Sequence, residues 1–221
     1  MATMSRALNV VAHRVADERG RAEVVAILGE TYQREKNWVA DPDSQFPPAD
    51  VGRGDTAWFV AEAGGRPAGV VRLLYDPPIA AYAHYGFRVI DPAIRVEDFI
   101  GRKGLAEVGR FAVLPDSRRQ ILVAATLMRA VTVDSLERGI THLITDVFED
   151  DAHSPYGFHT RVLGFHPVAT HDAGELNSRS RRITLLLDIP AAYKRLRRRN
   201  HWFYRYLASV LPDRVQERLA A

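Results

Sequence analysis

Cysteine is absent from the 221 residues, which excludes disulfides, thiolate nucleophiles and cysteine-ligated metals together. No apolar run approaches the ~20 residues that a membrane-spanning helix requires. The first residues also lack the apolar stretch of a secretory signal, so a cytoplasmic protein is expected. His153, His166 and His171 have no compact ligand spacing, and no metal site is expected from them. Internal repeats and a recognisable linker are missing as well. What is present is ordinary for a globular chain: 47% hydrophobic and 26% charged residues, with a net charge of only +3. The arginines are clustered, so local basic surface matters more than that total.

The most informative stretch runs from Leu105 to Arg138. Glu107-Val-Gly-Arg-Phe-Ala-Val113 reads as a buried strand with two charges inside it. Burying Glu107 or Arg110 costs several kcal/mol without a partner, roughly 3–5 kcal/mol for a broken buried pair. Their presence in a core strand therefore needs a reason. Residues 107 and 110 have opposite parity and share a face only if the strand bulges, for which Gly109 is the natural place. A turn at Leu114–Ser117 leads to Arg118 and Arg119, read as the start of a long helix with Ile121, Ala124, Met128, Val131 and Ser135 at helical spacing. Positive side chains beside free helix N–H groups make an anion site. A charged strand ending at such a helix suggests an enzyme that handles a phosphopantetheine or nucleotide group.

The flanking chain predicts one α/β domain. Residues 8–16 form a first strand, and a helix follows with Val24, Ile27, Leu28 and Tyr32 on one face. Asn37-Trp38 ends it, and a Pro- and Asp-rich loop occupies residues 39–54. Two strands around the Gly64-Gly65 turn form a hairpin. Residues 76–104 read as an irregular insertion, long enough to be functional; under the resemblance given below it would be a candidate lining for an acyl tunnel. Gly139 caps the long helix, and residues 141–147 make a strand parallel to the central one, because a helix joins them. A short helix from Ser154 stops at Gly164, and residues 165–169 and 182–188 close the sheet as an antiparallel pair. The domain spans 1–189. Residues 190–221 form a basic amphipathic tail whose apolar face is Trp202, Phe203, Tyr206, Leu207 and Val210. Lys194, Arg195, Arg197, Arg198, Arg199 and Arg205 supply its charge.

This order of elements, with Leu163-Gly164-Phe165 after the short helix, resembles the GNAT acyltransferase fold: a mixed twisted sheet flanked by helices. The closer resemblance is to the N-acyl amino acid synthases and the autoinducer (acyl-homoserine-lactone) synthases. It rests on Trp38 after the first helix, Asp55 before the hairpin, Arg72-Leu73-Leu74 ending it, and Glu107-x-x-Arg110-Phe111 on the central strand. The match covers about residues 8–188. Autoinducer synthases usually carry an arginine ten residues before the tryptophan, where this chain has Leu28. The acyl-amino-acid branch is therefore favoured. Coenzyme A-dependent relatives have glycines in the phosphate loop, whereas Ser117-Arg-Arg-Gln-Ile121 has none, which favours acyl carrier protein as donor.

The resemblance implies an N-acyltransferase with no permanently bound cofactor and an acyl-carrier-protein or acyl-CoA thioester as co-substrate. Acyl transfer to an amine needs a base, a polarised thioester carbonyl and a protonated leaving thiol. Glu107 is the candidate base, with Arg110 and Arg72 ordering the site and binding a carboxylate; structural pairing among these three is the alternative. The backbone of Phe111, Ala112 and Val113 would hold the pantetheine, and Arg118 and Arg119 its phosphate. Trp38 and Asp55 would shape the acceptor site, the alternative being a packed aromatic and a turn aspartate. His159, grouped with that site, stands where relatives often carry a tyrosine that protonates the leaving thiol; a polar helix-surface histidine is the alternative. The expected partners are acyl carrier protein and a small amine, with a peripheral membrane contact through the tail, and no nucleic acid. Rival readings are an acyl-CoA-dependent transferase, an acyl-homoserine-lactone synthase, and a GNAT-fold protein that binds without turnover.

Overall fold

The computed structural model describes residues 9–78, 83–90 and 104–220. In chain order the elements are β1 (Val10–Arg14), α1 (Glu18–Leu28), β2 (Thr56–Ala63), β3 (Arg66–Tyr75), β4 (Arg88–Val89), β5 (Leu105–Val113), α2 (Ile121–Glu137), β6 (His142–Phe148), β7 (His166–His171), β8 (Arg182–Asp188), α3 (Ile189–Arg198), α4 (Trp202–Ala208) and α5 (Asp213–Ala220). They form two compact units, one taking the chain up to Arg72 with Arg110–Ala130, the other Leu73–Gly109 and everything from Val131 onward. Strands β3 and β5 contribute to both.

In the first unit the strand order is β1-β2-β3-β5. β1 pairs antiparallel with β2, placing His13 opposite Val60 and Val11 opposite Glu62. Asp17 caps α1 by accepting from the Gly20 N–H at 2.8 Å, satisfying one of the helix's orphan donors. Val24, Ile27 and Leu28 face the core as the periodicity requires, and so does Tyr32 one turn further. That last turn, Gly29–Glu35, widens into a π-helix, a form often found at functional sites. The loop expected at 39–54 contains two 3₁₀ turns, Asp43–Gln45 and Pro48–Asp50. It is tied down by the buried Arg21, which donates to Asp43 at 2.9 Å and to the Phe46 carbonyl at 2.8 Å. Phe46 in turn stacks on Trp58 with ring centroids 4.7 Å apart. Gly69 of β3 is required by close approach: a Cβ there would lie 2.9 Å from the Ala112 carbonyl and 3.1 Å from Val123.

In the second unit the order is β5-β6-β8-β7-β4. β5 and β6 are parallel and β6, β8, β7 and β4 antiparallel, so the sheet is mixed. The short helix expected before Gly164 is a π-helix from Phe158 to Leu163, ended by Gly164 at φ 93°. Of the insertion expected at 76–104, a 3₁₀ turn at Ala83–Tyr85 and the two-residue β4 are described. Its remaining part, residues 79–82 and 91–103, lies outside the described residues, so the tunnel-lining expectation does too.

The tail differs from the single amphipathic helix expected. Asn200 turns into the left-handed region at φ 47°, and His201 starts a new helix by accepting from the Phe203 N–H. Three short helices result. Phe203 and Leu207 are buried, but Val210 lies beyond the end of α4 and is 45% exposed. The five-residue apolar face is therefore broken where its helix breaks.

Candidate active site

β5 carries the central motif, and it is irregular where the motif requires. Arg110 has φ 52°, a left-handed conformation costing a non-glycine residue of order 1–3 kcal/mol. The irregularity expected at Gly109 thus falls one residue later, and Gly109 itself is not left-handed. A side-chain contact accompanies the strain: Arg110 Nε donates to Gln45 Oε1 at 2.9 Å. Two replacements test this. Arg110→Gly, free of the left-handed penalty, is expected to stay within about 1 kcal/mol of wild type in urea unfolding. Arg110→Val, with a β-branched side chain unsuited to that conformation, is expected to fall about 2 kcal/mol lower. Equal stabilities would show that Arg110 is not left-handed in solution.

The first unit gathers several of the expected residues around the end of β5. Tyr32 donates its hydroxyl to the Phe111 carbonyl at 3.4 Å. Trp38 meets the Tyr32 ring edge-on, with centroids 5.1 Å apart, and carries Lys36 over its own face at 5.5 Å. Arg118 and Arg119 sit in the turn ahead of α2, which begins only at Ile121. Ile121, placed on the buried stripe by its spacing, is 49% exposed because the helix has barely begun there. The two arginines have different situations. Arg118 clamps the Glu35 carboxylate through both terminal nitrogens, one at 2.8 Å, and its Nε donates to the Val113 carbonyl at 3.2 Å. Arg119 is exposed. Asp55 is bound by Arg53, whose Nε donates to it at 2.8 Å. That bond holds the Asp55 carboxyl below the usual carboxylate range. Arg72 is half-buried on β3.

The second unit holds Glu107 in a setting that sequence reasoning missed. Parallel pairing places Glu107 beside Ile144, and the β6–β8 register places Asp146 beside Thr184 and Phe148 beside Arg182. Arg182 in turn faces His171. Strand alternation puts Glu107, Asp146, Thr184, Arg182 and His171 on one face of the sheet. Thr184 donates to Asp146 Oδ1 at 2.6 Å, and His171 Nε2 lies 3.0 Å from Asp146 Oδ2. The other nitrogen of His171, Nδ1, donates to the Ala173 carbonyl at 2.7 Å. Arg182, buried, donates to the Asp172 and Leu176 carbonyls and passes over the Phe148 ring at 5.0 Å. Tyr85 and Phe87 stack on His171, at 5.7 and 5.8 Å, and pack with Leu105 and Ile144. Burial, followed by the nearby carboxylates of Glu175, Glu107 and Asp146, pushes the Tyr85 hydroxyl pKa up and keeps it protonated. The only sequence signal for this row was polar Asp146 and Thr184 inside apolar strands.

His159 is not on a helix surface. It is fully buried, meets Phe165 edge-on at 5.1 Å, and donates Nδ1–H to the Pro155 carbonyl at 3.0 Å. Burial lowers its pKa to about 4, so the ring is neutral at pH 7.

A model of the family described as N-acyl amino acid synthase FeeM matches residues 23–176, well over half of the chain, including all of β5. The chain belongs to the FeeM N-acyl amino acid synthase family. It is an N-acyltransferase of the GNAT fold. The solved structure of FeeM, an N-acyl amino acid synthase from uncultured soil microbes, superposes with a TM-score of 0.66 at 19% identity, covering 88% of this chain and 98% of that one. The aminoglycoside 6'-N-acetyltransferase from Enterococcus faecium gives 0.56 at 12% identity, covering 82% and 97%. The ribosomal-protein-S18-alanine N-acetyltransferase from Escherichia coli gives 0.55 at 16%, covering 82% and 94%. These likenesses establish the fold. Among curated protein sequences no match is found.

Proposed function

We propose that this enzyme moves a long acyl group from the phosphopantetheine thioester of acyl carrier protein to the amine of an amino acid or similar small metabolite. The observation that carries the reading is the family match over residues 23–176, which includes Glu107, Arg110 and the glycine-free turn 117–121. Glu107 takes the proton of the acceptor ammonium. The free amine then attacks the thioester carbonyl; the N–C bond forms, the C–S bond breaks, and the second proton shed by the attacking nitrogen goes to the leaving thiolate. Arg110 and Arg72 order the site and bind an acceptor carboxylate, while the backbone of Phe111, Ala112 and Val113 holds the pantetheine. Trp38, Asp55 and His159 are assigned to the acceptor side.

Two features support the carrier-protein donor. The turn before α2 contains no glycine that would let backbone wrap a pyrophosphate. Arg118 is engaged by Glu35, so of the two arginines Arg119 is the exposed cation, suited to the single phosphate of a pantetheine arm. The basic side chains of the tail complement an acidic carrier or an anionic membrane surface. Initial rates with acyl carrier protein and with acyl-CoA of the same chain length test the donor; saturation by the carrier alone is expected, and saturation by acyl-CoA alone would overturn it. Arg119→Ala should raise KM for the acylated carrier about tenfold, as a lost charge-assisted contact does, and leave kcat within a factor of about two. Lipid extracts of an overexpressing bacterium, read by mass spectrometry, name the acceptor: a new N-acylated amino acid supports the reading, and its absence turns the search to other amines.

A further inference from the structure

The first unit contains a group of side chains to which the proposed function assigns no role. His13 on β1, Glu62 on β2 and Glu23 on α1 come from three separate elements. One ligand-capable atom from each lies within 4.8 Å of the others. The β1–β2 register explains the first two: Glu62 faces Val11, and His13 is two residues along on the same side, so the two are diagonal neighbours on one face of the ladder. Helix α1 brings Glu23 to the same point. Glu23 Oε2 is 3.6 Å from His13 Nε2, and Glu62 Oε1 is 3.7 Å from His13 Nδ1. All three residues are partly buried rather than splayed into solvent.

A second observation bears on the same cluster. Glu23 Oε2, the oxygen turned toward His13, is buried and accepts no hydrogen bond. The Arg19 guanidinium approaches the other oxygen, Oε1, at 3.4 Å, which leaves Oε2 with only the His13 imidazole at 3.6 Å beside it. A buried carboxylate oxygen without a donor costs free energy, and a metal ion removes that cost. We infer that His13, Glu23 and Glu62 form a binding site for a divalent transition-metal ion of the zinc class.

The donor set suits that class. One imidazole nitrogen and two carboxylate oxygens at about 2.0–2.2 Å are ordinary zinc ligands, and three protein ligands leave a position for water. Oxygen-only ions such as calcium and magnesium take six or more oxygens and do not use imidazole. Ligand atoms around such an ion stand about 3.3 Å apart, which these side chains reach by small rotamer changes, since only one imidazole nitrogen binds. The ion would pin α1 to the β1–β2 edge. Sequence spacing gave no sign of the site, because its ligands stand at positions 13, 23 and 62.

The test is calorimetric titration of Zn²⁺ into tag-free, chelator-treated protein, beside His13→Gln, Glu23→Gln and Glu62→Gln. Wild type is expected to bind one ion with a micromolar or tighter Kd and to gain several degrees in Tm. Each variant is expected to lose at least tenfold in affinity. His13 and Glu62 are partly solvent-exposed, so these variants keep the fold, which circular dichroism verifies. Absence of wild-type binding, or equal affinity in all four proteins, overturns the site. In either case the three groups form only a surface ion-pair cluster.

Discussion

Replacement of Glu107 by Gln is expected to lower kcat by roughly 10²–10⁴-fold, the range of a lost general base. KM for both substrates should change by no more than a few-fold, and Tm by a few degrees. The substitution keeps the shape of a half-buried side chain on β5 that packs beside Ile144, so packing alone has little to lose. The decisive readout is the pH profile. If Glu107 is the base, the acidic limb of kcat/KM disappears in the variant; if it only pairs with neighbours, kcat persists and the limb stays. Tyr85 supplies an internal control. Glu107 is one of the carboxylates that raise its pKa, so its hydroxyl should titrate at lower pH in the variant whatever the role in catalysis.

The second large effect concerns acid stability. His159 is fully buried, and its folded pKa, about 4, lies well below the ordinary 6.5. The unfolded chain binds a proton near pH 6.5 that the folded protein refuses until about pH 4. Stability is therefore complete above pH 6.5, falls through that window as pH drops, and levels off below it. A shift of this size corresponds to roughly 3 kcal/mol. His159→Phe provides the comparison. The Pro155 carbonyl still accepts the backbone N–H of residue 159 at 2.9 Å, so the variant leaves no orphaned acceptor, and the ring still packs on Phe165. Urea unfolding from pH 7 to pH 4 should show the wild type losing about 3 kcal/mol more than the variant across the window. Parallel curves would mean that His159 takes up its proton without unfolding.

The elements were legible because their signals are local. Alternation and the Gly64-Gly65 turn gave the hairpin, helical spacing gave α1 and α2, and Gly139 and Gly164 marked where helices stop. The Glu107-x-x-Arg110-Phe111 pattern pointed to the family that the match over 23–176 then established. What escaped was non-local. Asp146, Thr184, Arg182 and His171 meet only through a register across β6, β8 and β7, and no spacing within one segment encodes it. His159 was misplaced because a histidine between two turns looks polar, whereas Phe158 and Phe165 on either side of it were the sign of burial. The Arg118–Glu35 ion pair escaped as well, because Glu35 is distant in sequence and adjacent in the fold. The tail broke at Asn200, a residue tolerant of the left-handed turn that ends a helix.

The position of β8 has a consequence for biosynthesis. It is the last strand in chain order, yet it lies between β6 and β7 and pairs with both. A nascent chain that has emerged only as far as β7 therefore holds two strands whose common neighbour has not been made. Chains grow at about 5–20 residues per second, so those edges stay open for the time needed to add residues 172–188. Premature termination before Asp188 should yield aggregating fragments, more than a shortened enzyme. Expression at low temperature or with added chaperone should improve yield through this interval, without any change to the finished protein.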